Sequence, residues 1–125
     1  MSSDAVRTAI LGAIRSAVSP VPAYSGRVPE RTSYPYVLLG QSVAVTDTGL
    51  TDRQVETYYI SVWSQATNDT EVGGLLAAMR TALHNQRLAL SSGHLAGLFV
   101  RSVEMVPDID ERTFTGRLVV DATHQ

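Results

Sequence analysis

The sequence contains no cysteine and no lysine. Without cysteine there is no disulfide framework, no thiolate metal site and no cysteine nucleophile, and the redox compartment leaves no trace in composition. Without lysine every fixed positive charge is an arginine, which suits bidentate ion pairs, although the codon bias of a GC-rich genome gives the same result without any function. Histidine is scarce. His84, His94 and His124 are the only ones, and none stands with another histidine or an acid at a metal-ligand spacing such as H-E-x-x-H, so no metal is expected. The nucleophile elbow G-x-S-x-G, the phosphate-cradling P-loop and G-x-G-x-x-G are missing as well, and with them any expectation of a cofactor. A dominant sign of charge is also lacking: 10 basic residues against 12 acidic leave a net charge of -2, too little to draw the chain toward nucleic acid or a membrane surface. No stretch approaches the roughly 18 continuous apolar residues of a membrane span. The opening Met1-Ser2-Ser3-Asp4-Ala5-Val6-Arg7 has an acid and an arginine where a signal peptide has a basic start and an apolar run, so a soluble cytoplasmic product is the expectation.

What is present suits one folded domain over residues 1–125. At this length a chain buries roughly two thirds of its unfolded surface, and 44% hydrophobic content is enough for a single core. From Ser3 to Val18 the residues Val6, Ile10, Ile14 and Val18, joined by Ala9, Ala13 and Ala17, recur at helical spacing. Ser19-Pro20-Val21-Pro22 stops that helix, because proline lacks an amide and restricts its predecessor. Residues 23–33 show no periodicity and read as an exposed connecting loop. The β-rich run Tyr36–Val45 follows Pro35, with Gly40 in mid-run as a candidate bulge. Turn chemistry at Asp47-Thr48-Gly49-Leu50-Thr51-Asp52 then leads into Val55–Ser64, where Tyr58, Ile60 and Val62 alternate with Tyr59, Ser61 and Trp63. These two runs form an antiparallel hairpin. Both faces of the second are apolar, which suits a central strand or one whose outer face meets another subunit.

Asn68-Asp69-Thr70-Glu71 reads as a capping box ahead of Val72, Leu75, Leu76, Met79, Ala82 and Leu83, giving a second helix. His84 near its end is placed to donate to the last carbonyls, and His94 lies in a Ser-Gly loop. Gly73-Gly74 inside the helix suggests close approach of another backbone. A strand over Leu98–Val106, the acidic turn Asp108-Ile109-Asp110-Glu111, and a strand over Thr113–Thr123 with Phe114, Leu118, Val120 and Ala122 on one side make a second hairpin. The order helix, hairpin, helix, hairpin predicts an α+β fold: an antiparallel sheet of about four strands with the two helices on one face. The halves share this plan without a convincing residue-by-residue repeat.

Asp108, Asp110 and Glu111 lack the glycine and distal glutamate of a calcium loop and read as a solvated turn. The arginines are scattered, Arg27 and Arg31 being the one local pair in the long loop, and the aromatics are too dispersed for a base-stacking platform. Nothing assembles a catalytic constellation. The expectation is a protein that works through a surface and is not an enzyme.

Three segments together resemble one family: Pro35-Tyr36-Val37-Leu38-Leu39-Gly40 opening a strand, Ile60-Ser61-Val62-Trp63-Ser64 ending a strand that runs into a capped helix, and a C-terminal hairpin on an acidic turn. This order is similar to that of the tail-completion, or tail-terminator, proteins of long-tailed phages and phage-derived gene transfer particles, and it spans nearly the whole chain. The resemblance implies a hexameric ring at the head-proximal end of the tail tube. That ring would end tube polymerisation and offer a surface to the head connector or stopper protein, within a virion tail assembled in the cytoplasm of the host or producer cell. A closed ring uses heterologous contacts, so each subunit presents two different patches. Tyr59 and Trp63 are candidates for one, the competing reading being that they fill the core; Arg27 and Arg31 are further interface candidates. Facing the channel, Asp108, Asp110 and Glu111 would let DNA pass without sticking, since phosphate binding needs cations. The alternatives are another head-tail connector or tube-related subunit, or a small ferredoxin-like ligand-binding regulatory domain, which would need a pocket between sheet and helices.

Overall fold

Helix α1 (Ser3–Val18) forms where Val6, Ile10, Ile14 and Val18 fall on one stripe, and all four are buried. It stops one residue before Ser19-Pro20, as the missing proline amide requires. Helix α2 (Thr70–Leu83) buries Val72, Leu76, Met79 and Leu83 in the same way. The computed structural model describes residues 3–30, 33–46, 54–65, 70–89, 95–107 and 113–124. Asn68 lies outside them. Glu71 does not stand alone at the start of α2: its carboxylate accepts a hydrogen bond from the Ser64 hydroxyl and so ties the helix to the preceding strand.

Among the described residues six strands build the sheet: β1 (Ala23–Ser25), β2 (Tyr36–Thr46), β3 (Gln54–Ser64), β4 (Arg87–Ala89), β5 (Leu95–Pro107) and β6 (Phe114–His124). Their order is β1-β2-β3-β6-β5-β4. Strand β1 runs parallel to β2 and every other pair is antiparallel. The α+β class holds, but the expected four-stranded antiparallel sheet with helices on one face is replaced by a six-stranded mixed sheet, curled into a half-barrel. The physical reason lies in β1 and β4. Three residues are too few to show a period of two, so Ala23-Tyr24-Ser25 reads as loop in the sequence, and its parallel pairing is invisible there.

One face of β2, β3, β5 and β6 meets both helices in a single core. Val37, Leu39, Tyr58, Ile60, Leu118 and Val120 are its fully or nearly fully buried centre, each contributing about 1.5–3 kcal/mol by leaving water. Gly116 leaves room for this packing. A Cβ there would stand 2.8 Å from a Leu76 methyl, so any larger residue would force the Leu76 side chain to shift where α2 packs on β6. At Gly73 and Gly74 an added Cβ would meet nothing within 4 Å, which overturns the close-packing reason inferred for that pair.

The strand order reads the same from either edge: short strand, bulged long strand, long strand. At the centre β3 and β6 pair along their whole length, from Gln54 opposite His124 to Ser64 opposite Phe114. The register shifts once in β2, between Leu39 and Ser42, and once in β5, between Val100 and Ser102. Gly40 thus sits at a bulge, as its place in mid-run suggested.

Candidate assembly interface

Tyr59 and Trp63 lie on the face of β3 turned away from the helices, because they alternate with buried Tyr58, Ile60 and Val62. Both are half-buried. Since β3 is central, flanked by β2 and β6, much of its two-sided apolar character has a cause within the chain. Tyr59 stands opposite Val119, and Trp63 packs on Tyr36 with ring centroids 5.2 Å apart. Tyr36 in turn meets Tyr34 at 5.4 Å. Loss of hydration in this row, reinforced by the charge of the Tyr34 phenol and the hydrogen bond to it, raises the Tyr36 phenol above its ordinary 10.0. Beside the row is an open depression of about 480 Å³ lined by Leu38, Gly40, Gln41, Tyr59, Trp63 and Arg117, among others.

A polar strap crosses the same face. Arg101 donates to Asp121 Oδ2 from Nε at 3.0 Å and from Nη2 at 2.7 Å, while the Thr57 hydroxyl donates to Asp121 Oδ1 at 2.7 Å. It links β5, β6 and β3. The guanidinium is 56% exposed, so the ion pair contributes at most about 1 kcal/mol and chiefly fixes where Arg101 leaves the bulge.

The two margins of the sheet are each half covered. On β2, Val37 N donates to Pro22 O and Gly26 N to Leu39 O, which is the cover supplied by β1 and its flanks. Arg7 of α1 then closes the bulge: its guanidinium donates to Leu39 O at 3.2 Å, Gly40 O at 2.8 Å and Ser42 Oγ at 3.3 Å, and lies 5.5 Å over the Tyr58 ring. On β5, Leu98 N donates to Gln86 O and Val100 N to His84 Nδ1 at 3.1 Å. His84 therefore accepts from a strand instead of donating to helix carbonyls; its ring also meets Phe99 in a tilted contact with centroids 4.8 Å apart. Beyond each bulge, no described strand continues the cover along β2 or β5. Among the described residues Phe99, ahead of the β5 bulge, is the most open large apolar side chain at 53%, followed by Val106, Val103 and Met105 on β5 and Val43 on β2 at 41–48%.

Of the residues singled out in the sequence, Tyr59 and Trp63 share one face, and Arg27 is exposed just after Gly26. Arg31, Asp108, Asp110 and Glu111 lie outside the described residues, as does His94. Val43, Val103, Met105 and Val106 were not singled out. A valine or methionine at an open margin has the same alternating pattern as one in a paired strand, so only topology distinguishes them.

Residues 2–125 match the model of the family described as tail completion protein gp17. The chain belongs to the tail completion protein family. That membership agrees with the sequence resemblance and makes this tail completion protein a structural component of the phage tail, located in the virion. No curated protein matches it. Among solved structures it is similar to a chain from the virion of a native gene transfer agent particle, at 21% identity and a TM-score of 0.79, covering 97% of this chain and 95% of that one. A second solved structure matches at 12% identity and a TM-score of 0.64, over 100% and 96% of the two chains. At these identities the likeness speaks for a shared fold, near-complete in both directions.

Proposed function

We propose that this tail completion protein closes into a hexameric ring at the head-proximal end of the tail tube, ends tube polymerisation and joins the tail to the head connector or stopper protein. The observation that carries this reading is the family match over residues 2–125, held by a chain that leaves Val43 open at one margin of its sheet and Val103, Met105 and Val106 open at the other. A closed ring needs two unlike patches on each subunit. Tyr59 and Trp63 with Arg27 and Arg31 contribute to the surfaces that meet the tube or a neighbouring subunit. Asp108, Asp110 and Glu111 line the channel and keep passing DNA from binding.

Deleting the gene from a producing particle tests the reading. Overlong tails and tails without heads, restored to normal by the intact protein in trans, are the expected outcome. Tails of normal length lacking only the head joint would favour a connector role instead. Neutralising Asp108, Asp110 and Glu111 together is expected to slow DNA delivery while leaving ring assembly intact, and unchanged delivery would remove the channel role.

A further inference from the structure

The open row on β2 runs from Gln41 to Thr46, bounded by the Arg7-capped carbonyl of Gly40. Its counterpart on β5 runs from Arg101 to Val106, bounded on one side by the Val100 amide that His84 takes and on the other by Pro107, which has no amide. The two rows are equally long and lie on opposite margins of the sheet. They also lie at opposite ends. Ala44 is level with Glu56, Ala122 and Leu98, whereas Val103 is level with Leu118, Ile60 and Leu39. Val43 on the first row and Val103, Met105 and Val106 on the second stand exposed on an unpaired edge, an aggregation hazard that proteins normally blunt with lysine, proline or a covering element. This chain has no lysine, and it covers only the other half of each margin.

We infer that the partner of each row is the other row on a second copy of this chain, with β5 of one subunit pairing antiparallel to β2 of the next. This rests on the ring reading above and specifies its contact. Strand direction permits it: β2, β3, β6 and β5 alternate, so a following β2 continues the alternation. Only one register superimposes both rows from end to end, with Thr46 opposite Arg101 and Gln41 opposite Val106. That register also satisfies the ladder. Val37 and Leu39 turn their backbone groups to the margin, and past the bulge the alternation passes to Ser42 and Ala44. Leu98 and Val100 do the same on β5, and the alternation passes to Val103 and Met105. Ser42 then meets Met105 and Ala44 meets Val103, donor to acceptor, on the helix side of the sheet. Val43 and Glu104 become a non-hydrogen-bonded pair.

The geometry of such a chain of subunits closes. In this register Ala44 meets Val103, four ladder levels beyond its own on β5 because the bulge takes up one residue, a rise of about 13 Å at ~3.3 Å per level. Four long strands span about 19 Å at ~4.8 Å each. The ratio gives a strand tilt of about 35°, at the lower end of the range at which sheets close into barrels. Strands β1 and β4 do not obstruct it, because the stagger carries each past the end of the neighbouring long strand.

The natural absence of cysteine makes the pairing testable by oxidation. The double variant Val43→Cys/Glu104→Cys, in full-length protein, is expected to give a covalent ladder between subunits ending at the ring stoichiometry. Val43→Cys/Met105→Cys, out of face by one residue, is expected to give none. Val103→Glu should melt like the parent yet lose assembly at least tenfold in concentration dependence. Rings seen by light scattering and negative stain with no ladder from the first variant would overturn this contact and leave the ring reading standing. Monomers alone, even with tail tubes present, would remove both.

Discussion

The N-terminal half, α1 through β3, and the C-terminal half, α2 through β6, solve one architectural problem with different side chains. Each lays a helix on the sheet, adds a three-residue strand to the margin, and breaks the next strand with a bulge. In the first half the short strand is parallel and the bulge is closed by an arginine that reaches three acceptors on β2. In the second it is antiparallel, follows a turn at Asn85 with φ of 57°, and the strand ahead of the bulge is held by one histidine nitrogen. Such different means reach one result: half of each margin is paired, and along the other half no described strand pairs.

The core tests whether the halves are equal partners. Ile10→Ala and Leu76→Ala remove equivalent buried side chains of α1 and α2, and each is expected to cost about 2–5 kcal/mol by denaturant unfolding. A single transition with similar losses supports one shared core. Two separated transitions would break it into independent units. Gly116 sharpens the comparison, because its counterpart near the start of β3 is Glu56, a buried carboxylate that accepts the Tyr58 hydroxyl at 2.7 Å. Gly116→Val should cost about 1–3 kcal/mol by pushing Leu76 out of place, read as a lowered Tm.

The two bulge caps should differ in strength. Arg7→Met is expected to cost about 1.5–3 kcal/mol, since it strips charged hydrogen bonds from β2, and His84→Phe only about 0.5–1.5 kcal/mol, since it removes one neutral, part-buried hydrogen bond. Equal losses would show that the caps are interchangeable. The smallest effect belongs to Tyr36. Its folded pKa lies above 10.0, so its neutral form is the one the fold favours, and the contribution is intact below pH 10 and lost as pH rises through the folded value. Tyr36→Phe should flatten that alkaline limb of the stability profile, measured against the parent.

Both helices, all four long strands and the Gly40 bulge were legible in the sequence, because each has enough residues to show its period and a proline or turn cluster to end it. Strands β1 and β4 were not, since three residues show no period, which is why the sequence predicts about four antiparallel strands where the sheet has six and one parallel pair. His84 was read locally, as a helix-end donor, while its partner is 16 residues away on β5. Tyr59 and Trp63 were legible as two-faced residues, yet the open rows were not: alternation tells which face a side chain takes, whereas the vacancy at Val103 and Met105 depends on where a neighbouring strand stops.

A density map of the tail end at strand resolution tests the central claim most directly. The account predicts a closed ring in which β5 of each subunit pairs antiparallel with β2 of the next, Val43 facing Glu104 across the join. A ring whose subunits meet through helices or loops, with both rows left open to solvent, would contradict it.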